Sequence, residues 1–293
     1  MRQVKKRRRR IRYGKLFLFL VILFIGVFCL ILGIRKGYSL VSSVFFGTTQ
    51  QPSYYVIEGI NDSSQASSVF LVAQHANRKE LTLLGIPGNT KVSRNDEPAI
   101  LLKNTYQQGG AEETKRAVEN LLHIRIHKYA VLSYDAFMEA MNHMDTIDLY
   151  VEKDMEHMGS YGETDISLRQ GYQPLTESSA LAYLRYLEGP DEEILRLQRQ
   201  QRFIRAGIEK LKERPGFINW LLIRYDWNPQ GSNITPGEAA DLIYYMGNIT
   251  DENIHYRILP GEQKQESDGL FFWSINPVEV QGIIGTTLLT EDP

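Results

Sequence analysis

Hydrophobic and polar positions change their spacing several times along the chain, and each change marks an element. Leu16 to Ile34 runs for nineteen residues without a charge; at about 1.5 Å of rise per residue one helix of this length covers roughly 28 Å of hydrocarbon. Gly37 to Ser53 is rich in Ser, Thr, Gln and Gly and has no strong period, which predicts a stalk. Apolar runs follow at Tyr54–Glu58, Ser68–Gln74, Glu80–Ile86, Tyr129–Ser133 and Ile147–Glu152, the pattern of strands. Ala76-Asn77-Arg78-Lys79 supplies a hairpin turn between the second and third.

Helical spacing is interleaved with these runs, over Ala111–Leu122, Tyr134–Met144, Ser178–Leu187 and Glu192–Glu213. The last carries Ile194, Leu197, Ile204, Ile208 and Leu211 on one stripe. Thr235-Pro236-Gly237-Glu238 opens a further helix through Met246, with Thr235 as N-cap, Pro236 in the first turn and Glu238 closing a capping box. Alternating strands and helices predict the α/β class, a central β-sheet flanked by helices and preceded by one transmembrane helix. The boundaries that follow are a basic tail over 1–15, the membrane span over 16–34, the stalk over 35–53 and a folded domain over 54–288.

Charge sets the orientation. The tail holds nine basic side chains in fifteen residues, and only Arg35 and Lys36 follow the span closely. The positive-inside bias therefore predicts a single-pass protein of the cell membrane with a cytoplasmic N-terminus and an extracytoplasmic C-terminal domain. A cleavable signal peptide is the rival reading, but its apolar core runs about 7–15 residues and ends in a small-x-small site. Gly33 to Gly47 shows no clear site of that kind. Because Lys5–Arg12 directly precedes the span, it reads as a topology signal in contact with anionic membrane lipid rather than as a nucleic-acid patch. Beyond Lys15, 24 basic residues face 35 acidic ones, about −11 in formal charge. Any anion site there must be a local cluster of arginines.

Cysteine and histidine exclude several chemistries. Cys29, the only cysteine, lies in the apolar stretch, so the domain after it has no disulfide and no cysteine-based metal site. His123 and His127 lack the helical glutamate of a zinc protease and have Arg125 between them. No Gly-x-Ser-x-Gly surrounds Ser133, Ser160 or Ser167. The informative stretch is Gly171 to Gln201, where Thr176 can cap a helix carrying Arg185 and a second helix carries Arg196, Arg199 and Arg202 at three-residue spacing. Guanidiniums at 196 and 199 on one face, joined by Arg185, would form a forked-donor site for phosphate or pyrophosphate; a solvated charged face is the alternative.

An ordered series of motifs narrows the choice: Gly85-Ile86-Pro87, Lys103-Asn104 with Tyr106 and Gly109-Gly110, then TKRAVENLLHIRIHKY, PLTESSALAYLR and RLQRQQ. From about Tyr54 to Thr286 the chain resembles the LytR-CpsA-Psr family of bacterial envelope proteins. The resemblance implies an extracytoplasmic α/β domain that holds a polyprenyl-pyrophosphate-linked glycopolymer, of teichoic acid or capsular type, and with Mg²⁺ transfers it to peptidoglycan. It also implies that Lys103, Arg185, Arg196, Arg199 and Gln200 surround the phosphates and that Glu193 takes the position of a metal-ligand Asp. Where the family reads Ile-Pro-Arg-Asp, this chain has Ile86-Pro87-Gly88-Asn89, and the earlier Arg-x-Asp aligns with Gln65-Ala66-Ser67. With those carboxylates missing, Mg²⁺ depends on Glu193 or on relocated acids such as Asp96 or Asp191. The expectation is an envelope protein with a divergent site, or a catalytically silent scaffold that partners an active family member.

Overall fold

The computed structural model describes residues 52–94, 97–159, 163–189, 192–227 and 230–288. The basic tail, the apolar stretch Leu16–Ile34, nearly all of the stalk, and Asp96 and Asp191 lie outside the described residues. Among the described residues no helix is long and apolar enough to cross a membrane.

A five-stranded sheet organises the chain. Its strands are β1 (Ser53–Ile60), β2 (Ala66–His75), β3 (Glu80–Ile86), β6 (Lys128–Leu132) and β11 (Ile254–Ile258), in the order β11-β3-β2-β1-β6. β2 runs antiparallel to β1 and β3, while β6 is parallel to β1 and β11 is parallel to β3. Four strands therefore share one direction, and their carboxyl ends open on one edge. β2 and β3 are buried along most of their length because both faces of the sheet are covered, which explains their near-continuous apolar runs.

On one face pack α1 (Thr105–Leu122) and the C-terminal α7 (Pro277–Ile283), around Val69, Leu71, Leu84, Val118 and Ile284. On the other pack α4 (Glu193–Lys212) and α6 (Pro236–Asn248), around Val72, Leu83, Ile208 and Leu242, with α5 (Gly216–Asp226) outside α6. A second core joins α2 (Tyr134–Met144), α3 (Glu177–Arg185) and the ribbon strands β7 (Ile147–Val151), β8 (Met155–Met158), β9 (Thr164–Leu168) and β10 (Gly171–Leu175) around Tyr183 and Phe203. Hairpins β4 (Lys91–Arg94) with β5 (Glu97–Leu101), and β12 (Gly261–Gln265) with β13 (Phe271–Ile275), complete the domain.

The sheet and its flanking helices match the α/β expectation, and so do α2 and the capping box at Thr235, where both reciprocal bonds form. Two details differ. The first helix begins at Thr105 rather than Ala111, with a kink at Gly109 and Gly110, and Gly110 has a φ of 67°, which favours glycine. Thr176 occupies the N-cap of α3, yet its hydroxyl meets Ser178 and Ser179 instead of a backbone N–H.

Glu58 on β1 is fully buried, and neither carboxylate oxygen has a hydrogen-bond partner among the described residues. Burial pushes its carboxyl up from 4.5 to about 7, against the nearby Thr114 hydroxyl. A pKa raised by folding contributes stability that is complete below the unfolded value and is lost as pH rises through the folded one. The unfolding midpoint is therefore expected to fall between about pH 4.5 and pH 7, reflecting a loss on the order of 3 kcal/mol. Thermal melts of Glu58→Gln should lose that dependence, and a variant that keeps the wild-type slope would refute the assignment.

Candidate functional site

The carboxyl ends of β1, β3 and β6 feed three loops on one edge of the sheet, the position where open α/β sheets gather ligands. After β3, Pro87–Thr90 turns back with a 2.9 Å bond from Thr90 N–H to the Pro87 carbonyl. Lys103 N–H donates to the Gly88 carbonyl at 2.7 Å and Leu102 N–H to that of Thr90 at 2.8 Å. Gly88 N–H donates at 2.9 Å to Oε1 of Glu193, in the first turn of α4.

The space at Gly88 is tight. A Cβ there would stand 3.1 Å from Glu193 Oε1 and 3.3 Å from the Lys103 Cβ. Glu193 is only 8% exposed, and both its oxygens accept from Arg196 Nη2 at 2.7 Å. The carboxylate thus sits between a backbone amide and a guanidinium, two donors of the kind that hold phosphate oxygens.

Arg199 and Gln200 turn inward. Arg199 is 1% exposed; its guanidinium donates to the Tyr186 carbonyl, lies 5.4 Å from the Tyr186 ring centroid and stands 3.5 Å from Glu152. Gln200 donates at 3.4 Å to the carbonyls of Ser67 and Leu184. Among the described residues nine buried side-chain atoms have no hydrogen-bond partner, and six of them belong to Asn89, Thr90, Arg196, Arg199 and Gln200. Buried polar atoms are nearly always satisfied, so their concentration beside one loop and one helix marks this edge as a polar binding region.

Arg185 differs from Arg199. It is exposed at the end of α3, stacked 5.0 Å from the Tyr134 ring centroid, and forms no ion pair among the described residues. Tyr134 begins α2 behind its N-cap Ser133. Burial pushes its phenol up, and the neighbouring charges of Arg185, Asp62 and Arg196 add smaller opposing effects. Asp62 lies in the β1–β2 turn, where Asn61 Oδ1 accepts from the N–H groups of Ser63 and Gln65. Lys103, with Gln65 and Asn104, lines an adjoining groove of about 450 Å³ that reaches Glu266.

The arrangement therefore gathers Lys103, Arg185, Glu193 and Arg196 at one edge and withdraws Arg199 and Gln200 into the structure beside them. Sequence reasoning missed Tyr134 and Asp62. Ser133 before an amphipathic run was a legible cap, but nothing local revealed that the next ring would receive an arginine from α3.

Among the described residues the donor set does not suit a protein-held Mg²⁺. That ion asks for an octahedral shell of oxygens, whereas Glu193 is already engaged by Arg196 and Gly88. Among the described residues no group of three or more His, Cys, Asp or Glu side chains could hold a metal ion.

Comparison with known proteins adds the family. The sequence model of the LytR_cpsA_psr family matches residues 39–282. The chain is 26% identical over 209 residues to the Bacillus subtilis polyisoprenyl-teichoic acid–peptidoglycan teichoic acid transferase TagV, covering 67% of this chain and 54% of that relative. To TagT of the same organism it is 25% identical over 153 residues, covering 52% and 47%. The chain thus spans about half the length of these relatives. The crystal structure of B. subtilis TagV superimposes with a TM-score of 0.68 at 22% identity, over 80% of this chain and 95% of that one. TagT with bound octaprenyl pyrophosphate lipid gives 0.61 at 20% identity, over 80% and 88%. At these identities the structures establish the shared fold.

Burial separates two arginines that sequence treated alike. Arg199→Ala would leave the Tyr186 carbonyl and its surroundings unpaired, and is expected to cost about 3 kcal/mol in stability. Arg185→Ala should stay within about 0.5 kcal/mol of wild type. Urea denaturation of both variants measures the difference, and equal losses would contradict this division.

Proposed function

The chain belongs to the LytR-CpsA-Psr family, and from that premise we propose that it joins a polyprenyl-pyrophosphate-linked glycopolymer to peptidoglycan in the cell envelope. The observation that carries this reading is that Arg185, stacked on Tyr134 just past the end of β6, and Arg196, closed on Glu193 beside the turn after β3, both stand at the sheet edge where strand ends open. A pyrophosphate brings several negative charges, and phosphoryl transfer depends chiefly on positioning and on stabilising them. Arg185 supplies an uncommitted fork, Arg196 a second guanidinium, and Lys103 a third cation from the neighbouring loop. Arg199 and Gln200 hold the backbone of Tyr186, Ser67 and Leu184 and so shape the walls.

In the transfer, an acceptor sugar hydroxyl attacks the phosphorus nearest the polymer. The new P–O bond forms as the bond to polyprenyl phosphate breaks, and the acceptor proton is released. In this reading Leu16–Ile34 anchors the chain with residues 1–15 in the cytoplasm, which keeps the domain beside its membrane-held donor.

A second reading has its own observation. Gly88 and Asn89 bring neither guanidinium nor carboxylate, and Glu193 already occupies Arg196. A protein that binds without turnover, as scaffold for an active family member, fits those facts.

Binding of octaprenyl pyrophosphate to the full chain in detergent tests the first reading. Arg185→Ala and Arg196→Ala should each weaken it about tenfold or more. Glu193→Gln, which keeps an acceptor for Gly88 and frees Arg196, should tighten it severalfold. Wild type that binds no lipid, or that binds but never transfers polymer to peptidoglycan, would favour the scaffold.

A further inference from the structure

Away from the arginine edge, β7 and β10 form a two-stranded ribbon beside α4. β7 alternates cleanly, with Ile147, Leu149 and Val151 inward and Asp148 and Tyr150 outward. In the β7–β10 register Tyr150 stands directly opposite Tyr172, so the two rings share the outer face as a cross-strand pair. They are 54% and 74% exposed. Two adjacent rings left in water on a ribbon whose other face packs on the core through Ile147, Leu149, Val151 and Leu175 are not required by folding.

These tyrosines border a groove of about 430 Å³ whose opposite wall is α4, within the roughly 300–1,000 Å³ range of small-ligand sites. Its polar lining carries four carboxylates, among them Asp148, Glu152 and Glu209, against Arg202, Arg205 and Lys210. The charges are partly paired already: Arg202 donates to Glu152 at 2.8 Å and Lys210 lies 2.9 Å from Glu213. A near-balanced, internally paired lining gives a polyphosphate no net attraction. It does offer donors and acceptors side by side, which suits a ligand made of hydroxyls and amides with apolar C–H faces.

We propose that this groove is a glycan-binding subsite for neutral pyranose units, whose C–H faces stack on Tyr150 and Tyr172. Their hydroxyls bond to Asp148, Glu152, Arg202 and Glu209. Glu152 sits at the junction with the arginine edge, since it also faces the buried Arg199 at 3.5 Å, so a bound chain runs along α4 toward the transfer site. The binding chemistry stands on the groove itself; its use in polymer transfer rests on the proposed function. The sugars belong either to the glycan strand of the acceptor or to the donor polymer.

The test uses the full chain in detergent micelles and two probes, soluble peptide-free peptidoglycan oligosaccharides and a phosphate-free oligosaccharide of donor-polymer sugars. Binding is followed by calorimetry for wild type, Tyr150→Ala/Tyr172→Ala and Tyr150→Phe/Tyr172→Phe. At least one probe should bind wild type, at least tenfold more weakly to the Ala pair, and near wild-type strength to the Phe pair, because the ring faces do the stacking. The probe that binds identifies the source. Octaprenyl pyrophosphate binding should be unchanged in the Ala pair, which shows that it is folded and separates this subsite from the arginine edge. Wild type that binds lipid pyrophosphate but neither glycan overturns the subsite and leaves the functional reading standing. Glycan binding without lipid binding does the reverse. Equal glycan binding by wild type and the Ala pair also overturns the proposal.

Discussion

A carboxylate removed from water needs donors for both of its oxygens, and Glu193 finds them at Gly88, 105 residues before it, and within its own helix at Arg196. That bond fixes the exit of β3 against the first turn of α4, where a negative charge also complements the helix N-terminus. Once this junction is set, the turn at Pro87–Thr90, the backbone of Leu102 and Lys103 and the start of α4 are mutually located. The same rotation of α4 that brings Glu193 to Gly88 turns Arg199 and Gln200 toward the interior.

The junction also gives the site its character. An internal carboxylate stands where two phosphate-binding donors meet, so a ligand at this edge competes with Glu193 for Arg196, whereas Arg185 is held by a ring and remains free of ion pairs among the described residues. Attraction for an anion is thus concentrated in a few guanidiniums on a chain whose portion beyond Lys15 is acidic overall. Such a distribution favours one anion in one place over general binding to polyanions.

Much of the fold was legible because its signals are local. The strand runs before residue 90, α2 from Tyr134 to Met144 and the capping box at Thr235 follow from residue spacing and cap chemistry. The runs that became β6 and β7 were equally legible, but the strands after residue 152 were not. β8, β9, β12 and β13 are short hairpin members with exposed positions, and their pairing comes from chain reversal rather than from apolar periodicity. α5 carries exposed Phe217 and Tyr225 and a weak apolar bias to one side, so its helical period was hard to see.

By itself the sequence determined the α/β class, the segregation of charge between tail and domain, and the identity of the cations that an anion site could use. Those are properties of composition and of spacing within one element, and they survive without knowledge of neighbours. Only the tertiary structure decided which cations face outward. Arg196 and Arg199 are three residues apart on one helix, yet one closes on Glu193 at the site edge while the other is sealed under Tyr186. The stacking of Arg185 on Tyr134 and the pairing of Tyr150 with Tyr172 depend likewise on strands and helices distant in the chain. The physical reason is that burial and electrostatic contact are set by packing between elements, and three residues along a helix can separate a site edge from the core.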